Sequence, residues 1–224
     1  RSPGDQTAGM SRRSVVIDTD TASDDAVALV LAVREPSVGV RAVTVVAGNV
    51  PLDLAVRNAI VTLDLAGGAE IPVHAGSDRP LVRPLDTAQF VHGQDGMGGA
   101  PLPEPSRGAT SSDAVGELLR IAADEPGRHD LVTLGPLTNI ATAIQKEPRI
   151  LERIPEIVIM GGAHDHGNST ASAEFNIIAD PEAADVDAAV ALSRRVTWAL
   201  AALLAAAAAA GLGDGVIAGG PRCA

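Results

Sequence analysis

Apolar positions along this chain alternate between two periods. Val15-Val16-Ile17 is an unbroken apolar run, enough for one buried strand, and Ala26-Val27-Ala28-Leu29-Val30-Leu31 behind it turns helical at once. Residues 38–46, apolar and β-branched, predict a second strand; Leu52, Ala55, Val56, Ala59, Ile60 and Leu63 then recur at helical spacing. Residues 71–74 predict a short strand, and residues 75–111, rich in Gly and Pro, a long loop. Ser112 is placed to cap a helix whose buried stripe is Val115, Leu118, Leu119 and Ala122. Residues 131–134 predict a strand, Gly135-Pro136 a turn, and a helix starts at Thr138 or Asn139, with Asn139 as its cap. Residues 157–160 predict a strand ended by Gly161-Gly162. Asp180-Pro181-Glu182 opens a helix that runs to Ser193, and Val196-Thr197-Trp198 begins a last strand. Such alternation specifies an α/β fold with a doubly wound, mostly parallel sheet.

The texture changes after Trp198. Residues 199–210 are almost all Ala and Leu, and a Gly-rich stretch follows. With no amphipathic stripe, this is a low-complexity tail rather than the end of a domain. Three segments result: a polar lead-in at 1–13, an α/β domain at 14–198 that is incomplete at its C-terminus, and a tail at 199–224.

Composition narrows the partners. The 224 residues are 46% hydrophobic, enough for one domain with a substantial core. A formal net charge of −11 argues against nucleic acid, whose binding rests on Lys and Arg at phosphates. The run from Trp198 to Ala210 is too short for the ~20 residues of a membrane span. Cys223 is the single cysteine, so no internal disulfide forms and a cytoplasmic setting fits.

The chemistry concentrates behind the first strand. Asp18, Asp20, Asp24 and Asp25 fall within the stretch Asp18-Thr19-Asp20-Thr21-Ala22-Ser23-Asp24-Asp25. Carboxylates so crowded repel one another and resist desolvation unless a cation joins them. Oxygen-only ligands suit Ca²⁺ or Mg²⁺, and the C-terminal end of a parallel strand is where open α/β sheets bind ligands. Helix capping accounts for Asp24, and even for Asp25, but not for Asp18 and Asp20 as well.

Other polar loops also follow predicted strands: Ala47-Gly48-Asn49, His92-Gly93-Gln94-Asp95-Gly96, Gly135-Pro136-Leu137-Thr138-Asn139, and the stretch from Gly161 through His164, His166 and Asn168 to Glu174-Phe175-Asn176. Together with the aspartate cluster, in this order, they resemble the inosine-uridine preferring nucleoside hydrolase family, whose hallmark is DTDxxxDD at the first strand. The resemblance implies Ca²⁺-dependent hydrolysis of the N-glycosidic bond of a small-molecule ribonucleoside, with self-association left open. It implies Asp20, Asp25 and the backbone carbonyl of Leu134 as calcium ligands, with Asp20 also the base that deprotonates water. It implies Asp24, Asn49, Asn168, Glu174 and Asn176 as the set that holds the ribose hydroxyls. It implies Asp18 as a carboxylate that supports the metal site from behind, and His92 as a catalytic residue near the base or a lid.

Taken singly, these residues admit plainer readings. Asn49 after a glycine can hold a turn, Glu174 and Asn176 can be a solvated loop face, and His164 and His166 lack a third zinc ligand at sensible spacing. The chain also departs from the family pattern. Thr21-Ala22 replaces the usual Pro-Gly, and beyond Trp198 there is no His and only Asp214, where the resemblance implies a His-Asp pair. A truncation or frame change near Trp198 gives that pattern, with activity weakened or lost. Two alternatives stand beside the hydrolase. One is a non-catalytic nucleoside- or ribose-binding remnant. The other is a haloacid-dehalogenase-like phosphatase, because Asp18-Thr19-Asp20-Thr21 also fits DxDxT; it needs a later lysine, and Lys146 is the only one.

Overall fold

The structure, a computed structural model, describes residues 12–191 and 196–199. The lead-in and the tail otherwise lie outside the described residues, as does the predicted helix end at Ser193.

Fourteen elements follow one another: β1 (Arg13–Thr19), α1 (Ser23–Arg34), β2 (Val38–Val45), α2 (Leu52–Ala66), β3 (Val73–Ala75), α3 (Gln89–His92), α4 (Ala114–Asp124), β4 (His129–Thr133), α5 (Thr138–Lys146), α6 (Ile150–Arg153), β5 (Ile157–Met160), α7 (Phe175–Ala179), α8 (Pro181–Ala191) and β6 (Val196–Ala199). The strands form one sheet in the order β3-β2-β1-β4-β5-β6, and every pair is parallel. This is the doubly wound architecture that the alternating pattern predicts.

Strand periodicity divides the core. Val15, Ile17, Val132 and Val158 face one layer with α1 and α2, including Leu29, Ile60 and Leu63. Val16, Leu131, Ile157 and Ile159 face the other, with Leu118 and Ile121 of α4, Ile140 and Ile144 of α5, and Ala183 and Ala184 of α8. Apolar runs without polar alternation are what a sheet buried on both faces requires.

Winding runs outward from β1 in one direction to β3 and from β4 in the other to β6. Between β1 and β4 the winding reverses, and it is at the C-terminal strand ends beside such a reversal that open α/β sheets bind ligands. The loops after β1, β2, β4 and β5 all reach this edge.

Short elements escape the sequence pattern. The segment read as loop at 75–111 contains α3, and α6 and α7 are single turns too brief for helical periodicity to register. Asp113, not Ser112, caps α4, its carboxylate accepting from Gly116 N at 2.8 Å. Among the described residues no helix is long and apolar enough to cross a membrane.

Candidate active site

The end of β1 carries its carboxylates inward. Asp18, Asp20 and Asp25 are buried, with 0%, 0% and 2% exposure, while Asp24, one position along α1, is exposed. Asp18 Oδ1 accepts from Thr44 Oγ1 at 2.5 Å and from Asn139 Nδ2 at 2.9 Å. Asp20 Oδ2 accepts from the backbone N–H of Asn49 at 2.6 Å. Asp25 Oδ2 accepts from Thr19 Oγ1 at 2.8 Å. Among the described residues no Lys, Arg or His pairs with any of the three, and Asp18 Oδ2 and Asp20 Oδ1 are buried without a partner.

Burial therefore dominates their protonation. Desolvation pushes Asp18 up to about 7 against the hydrogen bonds from Asn139 and Thr44. Desolvation likewise raises Asp20 and Asp25, and the charges of Asp20 and Asp24 raise Asp25 further. Without a cation, ionising both of these buried carboxylates is disfavoured. A cation in that place would neutralise both.

Two glycines make room for Asp20. A Cβ on Gly48 would lie 2.7 Å from Pro136 Cδ and overlap Asp20 Oδ2, and one on Gly135 would lie 2.9 Å from Asp20 Oδ1. These glycines are required by close approach, not by dihedral angle. Gly48→Ala is therefore expected to displace Asp20 and weaken cation binding by about tenfold or more. Calcium titration calorimetry checks this, and unchanged affinity would show that Asp20 has slack.

The Leu134 carbonyl adjoins Gly135 and accepts from Asn176 Nδ2 at 2.7 Å. Among the described residues no three His, Cys, Asp or Glu side chains gather as a metal-holding group. A cation here would rest on two carboxylates and a backbone carbonyl, with the orphaned Asp20 Oδ1 available to it. All are hard oxygens, and the set fits Ca²⁺ or Mg²⁺.

The remaining predicted residues divide into near and far. Glu174 caps α7, accepting from Ile177 N, and desolvation raises its pKa; Asn176 lies in the same turn. Both are buried, at 7% and 4% exposure, so the solvated-loop reading fails for them. His92 ends α3, with Nδ1 3.0 Å from Ser23 Oγ and 3.9 Å from Asp24 Oδ1, at the rim of the cluster. Ala88 N donates to Asn49 O at 3.0 Å and holds the start of α3 over the same loop. Asn168 stands apart; it is exposed and tied to the site only through Phe175 N, 2.9 Å from its Oδ1. His164 is exposed and paired with Asp165, and His166 is exposed as well.

Three polar residues matter more than the sequence suggests. Asn139 is no cap: it lies inside α5, fully buried, donating to Asp18 Oδ1 and Val45 O and accepting from Ser77 N. Asn58, also fully buried, joins Thr21 O to Asp95 O. Asp180 accepts from Thr138 Oγ1 at 2.6 Å, from Leu81 N and from Ala183 N, fastening the long loop to α5 and α8. The sequence hints only at Asn139, through the polar run that follows β4. The phosphatase alternative loses its basis at the same place. Asp18, its nucleophile, is fully buried and held on one oxygen by Thr44 and Asn139.

The fold and this edge define a doubly wound α/β protein with a buried carboxylate cluster suited to a hard cation. The chain belongs to the inosine-uridine preferring nucleoside hydrolase family, whose sequence profile matches residues 15–206. It is 42% identical over 176 residues to the inosine-uridine preferring nucleoside hydrolase of Crithidia fasciculata, covering 78% of this chain and 56% of that protein. With a pyrimidine-specific ribonucleoside hydrolase of Escherichia coli it shares 43% identity over 180 residues, covering 79% of this chain and 56% of the other. A plant nucleoside hydrolase superposes with a TM-score of 0.79 at 36% identity, covering 84% of this chain and 59% of that one. The chain thus spans about half the length of the curated relatives it matches.

Proposed function

We propose that this pocket binds Ca²⁺ and a ribonucleoside, and that its chemistry is hydrolysis of the N-glycosidic bond to free base and ribose. The observation that carries the reading is the buried Asp20–Asp25 pair, with an unpartnered oxygen and no protein cation beside it. Family membership supports the reaction class. Bound calcium supplies positive charge that acidifies water and draws in the sugar hydroxyls. Asp20 takes the proton from the attacking water. The buried Glu174 and Asn176, with Asn49 and Asp24, hold the ribose hydroxyls. His92 faces the departing base from the rim. Positive charge develops at the anomeric carbon as the base leaves, which the carboxylates around it favour.

The acid that protonates the base is less well provided. Residues 199–224 hold no His, and His92 is the only histidine at the pocket rim among the described residues. The 224 residues by themselves are therefore expected to turn over slowly.

Discrimination by sugar tests this reading. Ribonucleosides are expected to be cleaved at least ~10²-fold faster than 2′-deoxyribonucleosides, because a missing hydroxyl strands buried partners. Release of free base is followed with and without EDTA. Equal rates on both sugars, or rates indifferent to EDTA, would overturn it.

A further inference from the structure

We propose that Thr21 is a positioning residue for the cation site and acts on Asp25 through Thr19. The inference rests on the reading of Asp25 as a calcium ligand. Thr19 and Thr21 are both fully buried. An ionised Asp25 can only accept, so the 2.8 Å contact of Thr19 Oγ1 with Asp25 Oδ2 uses the one proton that the Thr19 hydroxyl has. The 2.9 Å contact between Thr19 Oγ1 and Thr21 Oγ1 then has a single allowed direction: Thr21 donates and Thr19 accepts. A one-way chain results, from Thr21 to Thr19 to Asp25, in which each donated proton polarises the next.

The chain is anchored at its far end. Asn58 Nδ2 donates to Thr21 O at 3.2 Å and to Asp95 O at 2.9 Å, and Asn58 is itself fully buried. Thr21 is thus fixed through both its backbone and its hydroxyl. Thr19 leads into the loop and Asp25 lies in the first turn of α1, so the hydroxyl chain spans the turn that carries Asp20. Holding Asp25 Oδ2 sets the rotation of that carboxylate and leaves Oδ1 to face a cation. Among the described residues no hydrogen bond joins Thr21 to Asp25, so Thr21 acts through Thr19.

A set of variants tests this: Thr21→Val, Thr21→Ser, Thr19→Val and the Thr19→Val/Thr21→Val double. Ca²⁺ affinity is read by calorimetry, and folding by thermal melts in EDTA. Thr19→Val is expected to weaken Ca²⁺ binding about tenfold and Thr21→Val about threefold to fivefold. Thr21→Ser should bind as the unmodified chain does, and the double variant no worse than Thr19→Val alone. Should Thr21→Val not fold, Thr21→Ala takes its place in the same comparison. Wild-type affinity in a folded Thr21→Val, or losses that add in the double variant, would overturn the proposal while leaving the calcium reading intact. An unmodified chain that binds no Ca²⁺ would overturn both.

Discussion

Replacing Asp20 by alanine is expected to abolish calcium binding and, in the same protein, to raise the melting temperature of the metal-free form. Asp20 is fully buried, Gly48 and Gly135 are shaped around it, and one of its oxygens has no partner. Such a carboxylate destabilises a fold that lacks its cation, so removing it relieves the metal-free state while emptying the site of a ligand. Turnover should fall by ~10²–10⁴-fold, the span that general-base catalysis covers. Asp18, raised from 3.8 to about 7, sets the pH dependence. A carboxyl whose folded pKa lies above its unfolded one stabilises fully below the unfolded value, and that stability is lost as pH rises through the folded value. Metal-free protein should therefore melt higher at pH 5 than at pH 8, with a difference on the order of a few kcal/mol. Calcium at pH 8 should close the gap. Scanning calorimetry with EDTA or Ca²⁺ reads all of this, and wild-type calcium affinity in Asp20→Ala would sink the assignment.

Asn139→Asp should be the most damaging single-atom change in the molecule. The amide nitrogen of Asn139 donates to Asp18 Oδ1 and to Val45 O, while its oxygen accepts from Ser77 N. A carboxylate in its place keeps the last bond and faces the other two acceptors with a negative charge beside buried Asp18. We expect stability to fall by about 3–5 kcal/mol, the range for a buried pair left uncompensated. Asn139→Ala should lose less, because it removes the donor without adding charge. Urea unfolding of both variants in EDTA decides the order. An Asp variant as stable as the Ala variant would mean that the residue is protonated or hydrated in the fold.

The long apolar runs carry their own periodicity, so each strand from β1 to β6 is legible in the sequence to within a residue or two. The buried carboxylate cluster of Asp18, Asp20 and Asp25 is legible for a different reason, since crowded carboxylates at a strand end have few stable uses, whereas Leu134 enters only through the family resemblance. Asn139 is not legible. From sequence it is a polar residue at a helix start, and its burial comes from Asp18, Val45 and Ser77, which only the folded sheet brings to it. The burial of Glu174 and Asn176 is hidden for the same kind of reason: α7 is one turn long, too short to show which side faces inward. His92 is placed by tertiary contacts at both ends of α3, none of them local in sequence.

The partners of Asp18 also fix when the site can come into being. Thr44 lies 26 residues downstream and Asn139 a further stretch on, 121 residues from Asp18. During synthesis at ~5–20 residues per second, Asp18 waits on the order of ten seconds between its own appearance and that of Asn139. Throughout that interval the carboxylates of the first loop repel one another and stay in water. β4, the neighbour of β1 in the centre of the sheet, arrives just ahead of Asn139, so the nascent chain gains its central strand pair and the amide donor for buried Asp18 almost together.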